Sequence, residues 1–198
     1  PGMQVGFDFL RAGDGSTFAL INCAVPLSAF AKTANVPERP EVSALARLSP
    51  KGGGEAIDVP AGSFAPAPGN AAAKNDDLLL YQARVPLRPG GYDLWVGIFE
   101  RFRLQSANVR SSVVVPDLSG PLALSTIALG RSIRPLPEGA GGYNRPFRIS
   151  DFEFIPAVTN VYRREQTFAA LWQVYTEGAS GPGSSLQATY RVLITRNG

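Results

Sequence analysis

Residues 87–100 read Leu87-Arg-Pro-Gly-Gly-Tyr-Asp-Leu-Trp-Val-Gly-Ile-Phe-Glu100 and contain the most specific structural signal in the sequence. Pro89-Gly90 predicts a tight turn, because proline fixes φ at the first central position and glycine accepts the second. From Tyr92 onward, apolar residues occupy every second position, which is the period of a strand with one buried face. The stretch therefore predicts a strand that begins at a corner, with the Tyr92 hydroxyl bonded to the backbone of that corner, as in Greek-key sandwiches.

The same alternation continues on both sides of this stretch and predicts seven strands in about the first 115 residues. Residues 17–25 are apolar on both faces, which predicts a central strand. Residues 60–77 contain three prolines and are expected to stay out of any central strand position. Seven strands are the number found in an immunoglobulin-like sandwich. They lie at 4–10, 17–25, 41–48, 56–59, 78–87, 91–100 and 108–115.

A second unit is predicted after Val115-Pro-Asp-Leu-Ser-Gly-Pro121, since two prolines around Ser-Gly form a short, stiff linker. We expect an all-β chain of two tandem immunoglobulin- or fibronectin-III-like antiparallel sandwiches, at residues 1–118 and 119–198. The second has only four or five predicted strands. Because unpaired sheet edges are either covered or used for pairing, we expect the missing strands from sequence beyond Gly198 or from another chain. Its predicted strands include 122–129, 147–154, 167–175 and 186–194.

The composition restricts the chemistry severely, since the 198 residues include no histidine and one cysteine, Cys23. Imidazole is the usual general base and the commonest metal ligand, so Ser-His-Asp and Cys-His catalysis and His-ligated zinc are excluded. Thiolate zinc sites, iron–sulfur clusters and intrachain disulfides are excluded as well. We therefore expect no catalytic, metal-ligating or cofactor-binding residues, and a chain that is not an enzyme.

Charge and hydropathy exclude two further classes of partner. The net charge is +3, far from the dense basic surface of a nucleic-acid-binding protein. No window holds 18 consecutive apolar residues, so the chain is not expected to span a membrane by itself.

Two pairs of carboxylates are the remaining route to catalysis. Asp76 and Asp77 are adjacent, which on a strand points them to opposite faces. Asp151 and Glu153 are two apart and share a strand face, as an acid–base pair of a hydrolase would. Either pair would have to face a cleft. A polar outer face explains both pairs more simply.

Aromatic and arginine side chains provide the remaining functional signal, and most of the aromatic residues are expected to lie in the core. Trp95, Gly97 and Phe99 alternate with the inward positions of their strand, so Trp95 either packs under a neighbouring loop or lies exposed as a contact residue. Exposed Trp and Arg are typical anchors of protein interfaces, and exposed aromatic rings also stack on sugars. Two coplanar exposed rings, Trp95 and Trp172, would favour sugar, whereas an apolar patch rimmed by Arg would favour protein. The candidate interaction residues are Trp95, Phe99, Arg101, Phe102, Arg103, Arg163, Arg164 and Trp172.

Several segments together resemble the C-terminal region of secreted bacterial proteins of the VWFA-related and GWxTD-domain families, common in Acidobacteria. The segments are Leu78 to Val96, Val113 to Ser119, Leu122 to Ser125 and Thr167 to Tyr175. The resemblance implies tandem β-sandwich modules in a periplasmic or extracellular protein. The sequence has no Gly-Trp-x-Thr-Asp and no Asp-x-Ser-x-Ser, so no adhesion-site residues carry over to it.

Taken together, the residues predict a structural or protein-interaction module without enzymatic activity, an accessory subunit of a larger envelope or extracellular assembly. Its partners are expected to be other protein chains. A carbohydrate-binding module that uses exposed aromatic rings is the alternative.

Overall fold

The computed structural model describes residues 2–26, 30, 41–60, 63–66, 78–102, 104–136, 147–149, 151–158, 162, 165–177, 187, 189 and 191. In this part of the chain all regular secondary structure is β-strand, which confirms the all-β prediction. The fourteen strands are β1 (Gln4–Arg11), β2 (Thr17–Pro26), β3 (Val42–Pro50), β4 (Ile57–Asp58), β5 (Ser63–Pro66), β6 (Leu78–Leu87), β7 (Gly90–Glu100), β8 (Gln105–Val115), β9 (Leu122–Leu124), β10 (Ala128–Pro135), β11 (Arg148–Ile149), β12 (Phe152–Pro156), β13 (Ala169–Leu171) and β14 (Val174–Thr176).

The first eight strands form a sandwich of two four-stranded antiparallel sheets. We call β1-β2-β6-β5 the middle sheet and β4-β3-β7-β8 the outer sheet. Alternate residues of both sheets point into one core, as the two-residue period predicts. The prediction of seven strands missed β5, which lies at the sheet edge in the proline-containing segment. The core includes Phe9, Ile21, Cys23, Val25, Leu48, Tyr81, Val85, Tyr92, Leu94, Val96, Ile98 and Val113.

The corner before β7 has the predicted structure. Gly90 takes a φ of 145°, a conformation that strains any residue with a Cβ. The Tyr92 hydroxyl donates a hydrogen bond to the Arg88 carbonyl at 3.0 Å. This bond fixes the turn to the start of β7, so the tyrosine corner is confirmed. The finer immunoglobulin or fibronectin-III topology stays a prediction.

A third sheet, β11-β12-β10-β13, covers the far face of the middle sheet. Leu20, on the β2 face that points away from the first core, is fully buried with Ala128, Phe147 and Phe154. β2 is therefore buried on both faces, as its apolar sequence predicts. The molecule has three layers, with the middle sheet shared by two apolar clusters.

β9 and β10 run along β14 and β13 as one bent antiparallel ladder. Ala128 pairs with Leu171 and Leu124 with Val174, so the β9–β10 side holds one extra residue between these pairs. Ser125 fills the bend, where its amide donates to the Gln173 carbonyl at 2.9 Å and its Oγ accepts the Gln173 amide at 2.8 Å. This bulge explains why the predicted strands 122–129 and 167–175 are each divided in two.

Other strands of the second part differ from the prediction or lie outside it. The predicted strand at 147–154 is not one strand, because residues 148–149 pair antiparallel with residues 152–153. The predicted strand at 186–194 falls largely outside the described residues. The domain boundary predicted near residue 119 stays a prediction. Hydrogen bonds join residues on its two sides, since the Tyr175 hydroxyl accepts the Arg11 amide at 2.8 Å.

Candidate functional site

The exposed face of the outer sheet displays three cross-strand rows of side chains. β3, β7 and β8 alternate between buried and exposed positions, so every second residue of each strand faces away from the core. Because opposite residues in an antiparallel pair share a face, the register places their side chains side by side. The rows are Arg47–Trp95–Arg110, Leu45–Gly97–Asn108 and Ser43–Phe99–Ser106.

An apolar surface lies at the centre of these rows, and we call Leu45, Trp95, Gly97 and Phe99 the Trp95 patch. A Cβ added to Gly97 would lie 2.6 Å from Trp95 Cη2 and 3.4 Å from Phe99 Cε2. The two aromatic rings therefore meet over the glycine, in the space that a larger residue would fill. Leu45 is 61 % exposed and Phe99 is 40 % exposed. Trp95 is half-exposed on this face, and its role as a contact residue stays a prediction.

Two arginines flank Trp95 in its row, and their environments differ. Arg47 binds Asp58 through two hydrogen bonds, Nε to Oδ1 at 2.6 Å and Nη2 to Oδ2 at 3.1 Å. This pairing holds the pKa of Asp58 below its usual value. Arg110, on the edge strand β8, has no hydrogen-bond or ion-pair partner in the part of the chain that the structure describes. One guanidinium is thus held in place, while the other is free to bind a ligand.

Open depressions adjoin the Trp95 patch at both ends. One, of about 570 Å³, is lined by Trp95 and both arginines of its row, together with Asp93. The other, of about 620 Å³, is lined by Phe99, Ser43, Arg101 and Leu104. An elongated ligand would therefore meet a recess on either side of the Trp95 patch.

The hairpin between β7 and β8 adds exposed apolar groups beside Phe99. Leu104 is 91 % exposed and has a φ of +51°, a conformation that a branched side chain rarely adopts. Phe102 is 49 % exposed in the same turn. Arg101 binds Glu41 at 3.0 Å. Leu104 was not among the predicted interaction residues, although an apolar residue at a tight hairpin turn is a signal that could have identified it.

The eight predicted interaction residues do not all belong to one surface. Trp95 and Phe99 form the centre of the patch, and Arg101 and Phe102 adjoin it in the β7–β8 hairpin. Trp172 lies half-buried at the bend between β13 and β14. The remaining three arginines, Arg103, Arg163 and Arg164, lie outside the described residues. Leu45, Arg47 and Arg110 were missed, although the alternation predicted for residues 42–48 places Leu45 and Arg47 opposite the core face.

A buried polar chain joins the middle sheet to the second part of the molecule. The Asn22 amide donates to Asp8 Oδ2 at 3.2 Å, and the Gln82 amide donates to Asn22 Oδ1 at 3.1 Å. Thr126 donates to Asp8 Oδ1 at 3.5 Å and accepts the Phe9 amide at 2.8 Å. Burial raises the pKa of Asp8 from 3.8 to about 6. Asn22, a lone polar residue inside an apolar run, was the overlooked signal.

Of the candidate catalytic carboxylates, the two that the structure describes, Asp151 and Glu153, lie in different environments. Glu153 is buried and binds Arg134 Nη2 at 2.6 Å. Asp151 is exposed in the turn before β12. Asp76 and Asp77 lie outside the described residues. Among the described residues there is no cluster of three or more potential metal ligands, and none of their elements is a helix long and apolar enough to cross a bilayer.

Comparison with family models, with curated proteins and with solved structures gives no match for this chain. The Trp95 patch and the sheet that carries it are therefore the features from which a function can be inferred.

Proposed function

We propose that this chain is a non-enzymatic protein-interaction module that binds another protein through the Trp95 patch, as an accessory subunit of a larger envelope or extracellular assembly. One observation carries the proposal: two aromatic rings meet over Gly97 on an exposed sheet face, beside an exposed leucine and between two arginines. Aromatic anchors surrounded by Arg are the residues that contribute most to protein interfaces.

The physical reason is the area that a partner would remove from water. An aromatic side chain buries about 150–250 Å² when it is fully covered, and each buried Å² contributes about 25 cal/mol. Gly97 keeps the two rings close to the sheet surface, so little conformational entropy remains to be lost on binding. The ion pair with Asp58 restricts Arg47 in the same way.

A carbohydrate-binding module is the second candidate, because the ring pair over Gly97 also offers a stacking surface. A platform of two coplanar exposed tryptophans, which would favour a sugar ligand, is disfavoured by the placement of Trp172, which is half-buried at the bend of the ladder. The aliphatic Leu45 and the flanking arginines favour a protein partner.

Photo-crosslinking in extracts of the native source tests the proposal. Phe99→p-benzoylphenylalanine carries the cross-linker into the patch, and Phe152→p-benzoylphenylalanine is the matched control, since Phe152 is 51 % exposed on the third sheet. We expect one protein adduct at position 99, identified by peptide mass spectrometry, that is absent at 152 and is lost when Trp95→Ala is added. Equal adducts at both positions would contradict the proposal. Retention by a polysaccharide gel without any protein adduct would support the carbohydrate-binding alternative instead.

The exported location belongs to the same proposal. It is supported by the resemblance to secreted sandwich modules, and fractionation of the native cells tests it. The protein is expected in the periplasm or the medium, and recovery with cytoplasmic markers would contradict this part.

A further inference from the structure

The four outer edges of the sandwich differ in how well they are protected against pairing. β4 is two residues long, and β5 is four residues long and ends in Pro66, which has no amide hydrogen. The outer edge of β1 is already bonded, because Thr126 exchanges two hydrogen bonds with Phe9 and Tyr175 accepts the Arg11 amide. Short strands, prolines and covering groups are the usual protection of sheet edges.

β8 is eleven residues long and has neither a proline nor a bulge over residues 106–114. It pairs with β7 in one uninterrupted register, and no strand pairs with its other edge in the ranges that the structure describes. This edge also borders the row that contains Trp95, since Arg110 is the neighbour of Trp95 across the strands. The open edge and the Trp95 patch therefore form one continuous surface.

We propose that the open edge of β8 accepts an extended acidic segment of a different protein as a fifth strand, with a carboxylate of that segment paired to Arg110. This inference rests on the proposed function, because it names the class of partner that the interaction module binds. The backbone of residues 106–114 supplies the hydrogen bonds of strand addition, and Arg110 selects an acidic side chain at the position opposite it. A residue directly opposite Arg110 has its side chain on the same face, within reach of the guanidinium.

The charge pattern of β8 argues against a second copy of this chain as the added strand. Arg110 is at the centre of residues 106–114, and β8 contains no acidic residue. Two copies paired about a two-fold axis along the whole edge would place one Arg110 opposite the other, which is unfavourable. An acidic partner removes this repulsion and neutralises a guanidinium that has no partner among the described residues.

The inner side of the added strand is expected to be apolar. Val109 is only partly buried against the main core, and so are Val5 and Phe7 of β1, which contacts β8. Aliphatic side chains on the core-facing side of the added segment would extend this core. The expected segment therefore alternates acidic or polar residues on one face with aliphatic residues on the other.

Three synthetic nine-residue peptides test the proposal against the isotope-labelled full chain. The first reads Thr-Val-Thr-Val-Glu-Val-Thr-Val-Thr, the second has Lys in place of the central Glu, and the third is the Glu peptide with every backbone amide methylated. Dissociation constants and the shifted amides are measured by NMR titration. We expect the wild type to bind the Glu peptide about fivefold more tightly than the Lys peptide, with shifts concentrated at residues 106–114. The methylated peptide is expected not to bind.

The variant Arg110→Glu is expected to reverse the order, which also shows that it is folded. The matched control is Arg84→Glu, which makes the same charge change at an exposed position of β6 in the middle sheet, away from the Trp95 patch and the β8 edge, and is expected to keep the preference for Glu. Equal affinities for the two unmethylated peptides, shifts centred away from β8, or a wild-type dimer paired through residues 106–114 would overturn the proposal. A protein that cross-links through position 99 but ignores the peptides would overturn this inference alone and leave the proposed function standing.

Discussion

Removing the charge of Asp8 is expected to stabilise the fold at neutral pH. The folded state holds this carboxyl at a pKa of about 6, against 3.8 when it is exposed, because burial disfavours the ionised form. This difference corresponds to ~3 kcal/mol against the folded state above pH 6, and to none below pH 3.8, where both states are protonated. The free energy of unfolding therefore falls as pH rises from 3.8 to 6.

Asp8→Asn keeps the shape and the hydrogen-bonding chain. The new amide oxygen can accept from Asn22, and the new amide nitrogen can donate to the Thr126 hydroxyl, which already accepts the Phe9 amide. Urea unfolding of wild type and variant should give a free-energy difference of ~3 kcal/mol in favour of the variant at pH 7.5, shrinking toward zero at pH 4.

The control for this series is Asp14→Asn in an exposed turn. The hydroxyl and amide of Ser16 lower the pKa of Asp14, so wild-type Asp14 contributes stability at neutral pH that is lost as pH falls through its folded pKa. The contribution of Asp14 to the free energy of unfolding therefore changes with pH in the opposite direction to that of Asp8. A difference between wild type and Asp8→Asn that stays constant from pH 4 to pH 7.5 would refute the burial argument.

Three further predictions concern single positions. Gly130→Ala should lower the free energy of unfolding by about 1–3 kcal/mol, because its Cβ would lie 2.5 Å from the buried Phe154 ring and 2.8 Å from the Ile155 oxygen. The control is Gly97→Ala, which should displace only the half-exposed Trp95 ring and cost less. Equal losses of stability for the two variants in chemical denaturation would contradict the prediction. Leu104→Gly should raise the stability by about 1 kcal/mol, because glycine relieves the left-handed conformation at 104, and an unchanged thermal midpoint would count against strain there. Cys23 should resist a thiol reagent until the protein unfolds, because burial raises its pKa to about 12, and rapid labelling of the native protein would disprove this.

The sandwich and its corner could be predicted because their signals are local. Pro89-Gly90 and the alternation after Tyr92 determine a turn and a buried face without reference to the rest of the chain. The double burial of β2 was predictable for the same reason, since both of its faces are apolar.

The bend at Ser125 and the partners of Asp8 could not be predicted in this way. Both depend on which distant strand lies alongside, and a single extra residue in one strand of a ladder leaves no pattern in the sequence. The Trp95 patch was predicted only in part, because alternation identifies the face of Trp95 but not that its ring would lie over Gly97.

The sharing of β2 between two apolar clusters affects how the protein can be divided experimentally. A recombinant fragment that stopped at residue 118 would lack Ala128, Phe147 and Phe154, which cover Leu20, and would present that side chain to solvent. Newly wetted aliphatic surface on a sheet promotes self-association, so such a fragment would be prone to precipitate. Expression of both parts in a single polypeptide is the practical route to a well-behaved sample.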